Sequence, residues 1–246
     1  MSKLEWEERV VLITGGGSGI GRALAQAFAR DGARVFIVGR REAPLRETTA
    51  HAPERMGWMS ADVCKTQDAH RIIEAVIERF GRLDLLINNA ASGTMRPLAE
   101  LDDETLDRLI AVNFSGPLRI SREAIPHLVA TKGQIVNIGS TLSNVAMPGT
   151  LVYAAAKAGM KQATKILAAE LGPMGVRVNV VAPGPTETES AMGGSPPEMI
   201  EQLRNQSPFG RLGQVEDIVK TVQMITGPQA SWVTGEVINA SGGLML

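Results

Sequence analysis

The sequence has a single cysteine, Cys64, and only three histidines in 246 residues. One thiol cannot form an intrachain disulfide or provide the cysteine ligands of a zinc site. The histidines are scattered at His51, His70 and His127, without the spacing that metal ligands show. We therefore expect a fold without disulfide bonds and a site without a metal.

Long apolar runs and an excess of one charge are absent as well. No apolar stretch approaches the ~18 residues that a membrane-spanning helix needs, and residues 1–9 are polar and acidic, unlike a signal peptide. The formal net charge is −1, which gives no long-range attraction toward nucleic acid or anionic lipid. We expect a cytoplasmic protein with neither a nucleic acid nor a membrane as a partner.

The sequence does contain a regular alternation of short β-branched runs and amphipathic helical patterns. The runs that predict strands are 9–13, 34–38, 56–60, 83–87, 134–138, 176–181 and 236–239. The longest helical patterns cover 102–129, where Pro117 predicts a kink, and 151–171. The alternation predicts an α/β fold, namely one Rossmann domain over residues 1–246 whose doubly wound parallel sheet has seven strands and helices on both faces.

A glycine-rich loop follows the first predicted strand and precedes a helix. Its glycines have the spacing Gly-x-x-x-Gly-x-Gly. They permit a tight turn and a close approach of main-chain amides to a pyrophosphate, whose charge the N-terminus of the next helix favours. This context predicts a dinucleotide site that includes Gly15, Gly17, Ser18, Gly19, Ile20 and Gly21.

The end of the second predicted strand indicates which dinucleotide is preferred. A carboxylate at this position commonly bonds the adenosine ribose 2′-hydroxyl. Here Gly39 is followed by Arg40 and Arg41 instead. Guanidinium groups match phosphate oxygens, so we expect NADP(H) to be preferred over NAD(H).

Tyr153 and Lys157 lie four residues apart on a predicted helix, so both project from one face. A cation one turn from a phenol favours the phenolate and lowers its pKa toward the range useful for acid–base catalysis. Such pairs also occur by chance on solvated helices. However, Ser140 follows the fifth strand, and ligands of doubly wound sheets bind outside the carboxyl ends of strands. The pair is therefore a candidate catalytic site.

Together these motifs resemble the short-chain dehydrogenase/reductase family, in its single-domain branch, over essentially the whole chain. The resemblance rests on the glycine loop, Asn88-Asn89-Ala90, Asn113, Ser140, the Tyr153-x-x-x-Lys157 pair and Pro183-Gly184. It implies a catalytic tetrad of Asn113, Ser140, Tyr153 and Lys157. Ser140 would bond the substrate oxygen, Tyr153 would exchange its proton, Lys157 would also bind the nicotinamide ribose, and Asn113 would hold a water of a proton relay.

The resemblance also implies contacts with the cofactor. Adenine would contact Asp62 and Val63, the adenosine ribose would contact Asn89 and Ala90, and the nicotinamide carboxamide would contact Thr186 and Thr188. Pro183 and Gly184 complete this set, together with Tyr153 and Lys157.

The implied activity is NADP(H)-dependent oxidoreduction of a carbonyl, of the 3-oxoacyl or another ketone type, or of a secondary alcohol. The Asn-Asn-Ala-Ala run at 88–91 and the Pro-Gly-Pro run at 183–185 suggest an alternative, the reduction of conjugated enoyl or dienoyl thioesters. A second alternative is a sensor or scaffold that binds the dinucleotide without turnover. Ala91 and Thr186 depart from the residues usual in the family, which bears on the substrate class.

Two further expectations concern the periphery. Residues 185–212 are rich in Gly and Pro and long for a connection, which predicts a substrate lid. The family implies a homotetramer, or a homodimer, built through the two long helices and the C-terminal strand.

Overall fold

The fold is organised around one sheet in which every neighbouring pair of strands is parallel, as the sequence predicts. The computed structural model describes residues 6–188 and 196–244. The strand order is β3-β2-β1-β4-β5-β6-β7. The strands are β1 Val10–Thr14, β2 Arg34–Gly39, β3 Met56–Ser60, β4 Leu85–Asn88, β5 Gln134–Ile138, β6 Arg177–Pro183 and β7 Val237–Ala240.

Helices cover both faces of the sheet. They are α1 Gly19–Arg30, α2 Glu42–Thr49, α3 Thr66–Phe80, α4 Asp103–Ile110, α5 Gly116–Thr131, α6 Leu151–Leu171, α7 Pro197–Gln206 and α8 Val215–Thr226. One apolar cluster joins one face of the sheet to α1 and α8, and a second joins the other face to α3, α5 and α6. Because the central strands are buried on both faces, their sequences are continuous apolar runs, which explains why the strands could be predicted.

The long helix predicted over 102–129 is two helices with a π-helical turn, Ala111–Ser115, between them. The Gly116 N–H bonds the Ala111 carbonyl, five residues back, instead of the carbonyl four residues back. A Cβ on Gly116 would lie 2.6 Å from the Val63 carbonyl oxygen, so the chain approaches its neighbour closely here. The kink is confirmed, but its cause is a π-turn that places Asn113 rather than Pro117 alone.

The fourth strand begins two residues later than predicted. Asp84, just before it, bonds β1 and β5 through its main chain, and its carboxylate accepts hydrogen bonds from the Val10 N–H and from the Arg82 guanidinium. Part of the expected lid forms α7, and residues 189–195 of that lid lie outside the described residues. Within the described ranges, none of the helices combines the length and apolar character required to cross a bilayer.

Candidate active site

The carboxyl ends of the strands bring most of the predicted site residues to one edge of the sheet. The strand order changes direction between β1 and β4, and this switch point opens a crevice at that edge. The glycine loop follows β1 and Asn89 follows β4, so they flank the crevice. Ser140 follows β5, the next strand along.

The glycine loop is built for close approach of main chain to main chain. Gly15 has a φ of +69°, and its N–H bonds the Val38 carbonyl of the adjacent strand at 2.8 Å. A Cβ on Gly21 would lie 2.2 Å from the Gly15 carbonyl oxygen and 2.5 Å from the Asn89 amide nitrogen. No side chain fits there, so glycine at position 21 is a steric requirement.

The same loop presents unpaired donors to solvent. Within the described part of the chain, the main-chain N–H groups of Gly17, Gly19 and Ile20 donate no hydrogen bond, whereas Ser18 closes the turn at 15–17. These residues are half-buried, and Gly19 and Ile20 open α1. Free N–H groups at the start of a helix attract anions, so the loop fits a pyrophosphate on geometric grounds.

Thr14 ties the glycine loop to the end of β4. Its hydroxyl accepts hydrogen bonds from the Asn89 and Ala90 N–H groups, both at 3.0 Å. The Asn89 side-chain amide in turn donates to the carbonyls of Thr14 and Gly15, at 2.9 and 3.2 Å. Both hydrogen bonds donated by the Asn89 amide therefore hold the glycine loop. The contact of Asn89 with a ribose stays a prediction.

The two arginines after β2 are exposed, with Arg41 at the N-cap of α2. Among the described residues, neither guanidinium forms a salt bridge. The Arg40 carbonyl is held by the Ser60 hydroxyl at 3.2 Å. Two unneutralised guanidinium groups at this strand end provide a site for a phosphate monoester.

The turn after β3 has its own support. The Asp62 N–H donates to the Asp68 carboxylate at 2.8 Å, and the Asp62 carboxylate accepts from the Cys64 N–H at 3.0 Å. Arg119 of α5 donates to the Cys64 carbonyl at 3.0 Å. Val63 is buried between these contacts, so the turn that is predicted to meet adenine is fixed from two helices.

Lys157 is fully buried on α6. Its Nζ donates to the Ile138 carbonyl at 2.8 Å and lies 5.7 Å from the centroid of the Tyr153 ring. Burial lowers the pKa of Lys157 from 10.5 to about 8, so the group remains mostly charged near neutral pH. The helix spacing thus brings an ammonium group and a phenol together, as predicted.

Tyr153 is the only tyrosine of the chain. Burial raises its pKa above the ordinary value of 10, and the nearby Ser140 hydroxyl opposes part of that increase. The expectation that Lys157 lowers the pKa of Tyr153 stays a prediction, whereas the proximity of Ser140 is observed.

Asn113 is completely buried in the π-turn. Its amide donates to the carbonyls of Ser92 and Leu109, at 2.6 and 2.9 Å, and its oxygen accepts from the Ser92 N–H at 3.4 Å. The next residue, Gly93, packs its main chain against the Tyr153 ring, since a Cβ there would lie 3.7 Å from Tyr153 Cδ2. The Asn113 side chain thus holds the loop that borders Tyr153, and its water relay stays a prediction.

The segment after β6 lies across the glycine loop. The Gly184 N–H bonds the Ala240 carbonyl at 3.0 Å, and the buried Thr186 hydroxyl donates to the Gly184 carbonyl at 2.9 Å. Thr188 is the neighbour of Gly19, where a Cβ would lie 3.4 Å from Thr188 Cγ2. Thr188 therefore borders the glycine loop, whereas the Thr186 hydroxyl is turned toward its own segment, and the contact of either threonine with a nicotinamide stays a prediction.

Some residues that organise the site were missed by sequence reasoning. They are Thr14, Arg22, Asp68 and Arg119. Thr14 carried a signal, as a hydroxyl at the end of a buried strand next to the glycines. The others act over 5 to 55 residues of sequence, and no local pattern marks them.

Comparison with known proteins gives similarity along the whole chain. Residues 15–245 match a family profile described as enoyl-(acyl carrier protein) reductase. An uncharacterized oxidoreductase of Methylorubrum extorquens is 39% identical over 253 residues, covering 99% of this chain and 100% of the relative. A 3-oxoacyl-(acyl-carrier-protein) reductase of Thermotoga maritima is 34% identical, covering 98% of this chain and 99% of the relative.

Solved structures share the fold closely. The 3-ketoacyl-(acyl-carrier-protein) reductase from Brucella melitensis, complexed with NADH, superposes with a TM-score of 0.92 at 30% identity. The match covers 98% of this chain and 100% of that one. The crevice described above thus lies in a fold that binds a nicotinamide dinucleotide in that relative.

Proposed function

The chain belongs to the short-chain dehydrogenase/reductase family, and on that premise we propose that it reduces a ketone, of the 3-oxoacyl or a related type, with NADPH. Family membership makes it an NAD(P)-dependent oxidoreductase acting on a small molecule. The observation that best supports the finer proposal is the meeting of Ser140, Tyr153 and Lys157 beside a loop of free amides.

The residues present fit a nicotinamide dinucleotide. The pyrophosphate would bind the free N–H groups of Gly17, Gly19 and Ile20, and the 2′-phosphate would bind Arg40 and Arg41. Thr186 and Thr188 would contact the carboxamide, and the contact of Thr188 with Gly19 supports this for Thr188. When bound, the nicotinamide supplies or accepts the hydride.

Ser140 and Tyr153 act on the substrate oxygen. A carbonyl that accepts hydride develops negative charge on oxygen, which the Ser140 hydroxyl stabilises by hydrogen bonding. Tyr153 then donates its phenolic proton to that oxygen. At neutral pH the Tyr153 phenol carries this proton, so it is in the acid form that the reduction requires.

Lys157 has two tasks in this proposal. Its ammonium group, anchored on the Ile138 carbonyl, would hydrogen-bond the nicotinamide ribose. It would also favour the phenolate that remains on Tyr153 after proton transfer. In alcohol oxidation the roles reverse, and Tyr153 must first lose its proton, so oxidation would require a higher pH than reduction.

The direct experiment follows NADPH absorbance with a panel of 3-oxoacyl thioesters and simple ketones. We expect turnover by the wild type and a loss of at least about a hundredfold in Tyr153→Phe, which keeps the ring and removes the proton. Circular dichroism and NADPH binding by the variant serve as the folding control. Near-wild-type turnover by Tyr153→Phe would sink the assignment.

Two alternatives are separated by the same assay. The family profile carries the description enoyl-(acyl carrier protein) reductase, so conjugated enoyl and dienoyl thioesters belong in the substrate panel. Turnover of these thioesters alone would favour the reduction of a conjugated double bond. Binding of NADPH without turnover of any substrate would favour a sensor or scaffold.

We propose a homotetramer as the working assembly. Exposed apolar side chains lie on two separate parts of the surface: Ile110, Leu151 and Ile166 on α4 and α6, and Met224 and Trp232 on α8 and the turn after it. Two apolar surfaces fit the two kinds of twofold interface that a tetramer needs. Light scattering of the purified protein tests the mass, and the cytoplasmic location stays a prediction.

A further inference from the structure

Arg22 of α1 has a guanidinium group that clamps the glycine loop. Its Nη2 and Nε both donate to the Gly17 carbonyl, at 2.8 and 3.1 Å. The same guanidinium holds the Glu47 carboxylate of α2 through two further bonds, at 2.9 and 3.1 Å. Two donors on one loop carbonyl are more than is needed to satisfy that oxygen, so its direction is strongly determined.

The direction of the Gly17 carbonyl fixes the next N–H group. The described chain contains no cis peptide bond, and in a trans peptide the carbonyl and the following N–H point in opposite directions. Because the Gly17 oxygen faces Arg22, the Ser18 N–H faces away from it. A rotation of this peptide would displace the Gly19 and Ile20 N–H groups that follow it, and glycine at position 17 would permit that rotation.

The clamp also joins two parts of the cofactor site. A Cβ on Gly17 would lie 3.1 Å from Pro44 Cβ, so the loop packs directly on the first turn of α2. That turn directly follows Arg40 and Arg41, and Glu47 lies on the same helix, between one and two turns after Arg41. Arg22 therefore links the loop with free amides to the helix that begins at the two exposed arginines.

We propose that Arg22 is a positioning residue of the dinucleotide site, which fixes the Gly17–Ser18 peptide by holding the Gly17 carbonyl and thereby keeps the free Gly19 and Ile20 N–H groups in place for the pyrophosphate. This inference rests on the proposed function, because it takes the glycine loop as the pyrophosphate site. Loss of Arg22 should therefore weaken the binding of every ligand that carries the pyrophosphate. It should leave unchanged the binding of ligands that bind only through the adenosine 2′-phosphate.

The test measures dissociation constants by fluorescence titration for NADPH and NADH, and by competition for 2′-AMP, which has no pyrophosphate. In Arg22→Ala we expect the constants for both dinucleotides to rise about tenfold, as for loss of a charge-assisted hydrogen bond at a half-exposed site. The constant for 2′-AMP should change by less than about twofold. Arg22→Lys keeps one cationic donor and should fall between the wild type and Arg22→Ala.

The matched control is Arg34→Ala. Arg34 also pairs with a glutamate, Glu8, and the two pairs are similarly exposed, but Arg34 begins β2 at the opposite edge of the sheet. We expect its dinucleotide constants to stay within about twofold of the wild type. Thermal melting of each variant checks that the fold is intact.

The outcomes separate the inference from the proposed function. Tight dinucleotide binding by Arg22→Ala, equal to that of the wild type, would overturn the inference and leave the proposed function standing. An equal loss of 2′-AMP affinity would also overturn it, because Arg22 would then act on the whole site. No dinucleotide binding by the wild type would overturn both.

Discussion

Gly21 and Gly172 provide a paired test of how the fold holds the cofactor loop. Both glycines have helical backbone conformations, one in the first turn of α1 and one at the end of α6. A Cβ on Gly172 would meet nothing within 4 Å, whereas a Cβ on Gly21 would lie 2.2 Å from the Gly15 carbonyl oxygen. The same substitution, glycine to alanine, is therefore expected to destabilise the protein much more at position 21 than at position 172.

The magnitudes follow from the contacts. At position 172, alanine lowers the entropy of the unfolded chain, which favours folding by about 0.4–1 kcal/mol. A Cβ in this helical conformation is, however, crowded by the ring of Pro173, so we expect the free energy of unfolding to change by less than about 1 kcal/mol. At position 21, the methyl group forces the Gly15 carbonyl to move by about 1 Å, which costs about 1–3 kcal/mol in overpacking. It also disturbs the Asn89 hydrogen bonds to Thr14 and Gly15, worth about 1 kcal/mol each. After the helix-propensity gain of about 1 kcal/mol is subtracted, we expect a net loss of about 2–4 kcal/mol.

Thermal melts and urea unfolding measure both effects. For a chain of this length, 1 kcal/mol corresponds to about 2–4 °C in Tm. Gly172→Ala should therefore melt within about 4 °C of the wild type, and Gly21→Ala about 4–16 °C below it. NADPH binding should weaken only in Gly21→Ala, because the loop amides move with Gly15. Equal melting temperatures for the two variants would refute the close approach deduced for Gly21.

Two other variants test the charges of the site. Arg40→Ala should raise the KM for NADPH by at least about tenfold and change that for NADH by less than about twofold, because only NADPH carries the 2′-phosphate; equal changes in steady-state assays would contradict the assignment. Lys157→Met should abolish turnover. It should also raise the free energy of unfolding near pH 7 by on the order of 2 kcal/mol, after the loss of the hydrogen bond to the Ile138 carbonyl is subtracted. Burial lowers the pKa of Lys157 from 10.5 to about 8, so the unfolded wild type binds more protons between these values and the wild type gains stability as the pH rises through them. The advantage of Lys157→Met in urea unfolding should accordingly shrink from pH 8 toward 10.5, and a constant difference would contradict the buried charge.

The sequence predicts those parts of the site that depend on local order along the chain. The loop from Gly15 to Gly21 follows a strand and opens a helix, and both features are visible as short patterns. Tyr153 and Lys157 share a helix face for the same reason. The doubly wound parallel sheet of seven strands was predicted as well, because strands that alternate with helices favour it.

The supports of the site were not predictable in this way. Arg22 reaches Gly17 and Glu47 only after α1 and α2 pack side by side, and Arg119 reaches Cys64 across 55 residues. Asn113 lies in a π-turn that no propensity marks, and from there its side chain bonds the Ser92 carbonyl; the water relay expected of it stays a prediction. Such contacts are consequences of the tertiary fold, so a single sequence carries no periodic trace of them.

The buried lysine distinguishes a catalyst from a passive binder of dinucleotides. A sensor would need the free amides of the glycine loop and the exposed Arg40, and both can bind a cofactor without an ammonium group in the protein interior. Burying the Lys157 side chain against the Ile138 carbonyl costs stability, as the lowered pKa records. A buried charge that lowers stability is explained if catalysis requires a cation near Tyr153, at the carboxyl edge of the sheet where Ser140 lies close to the phenol. The placement of the destabilising charge therefore favours turnover over binding alone.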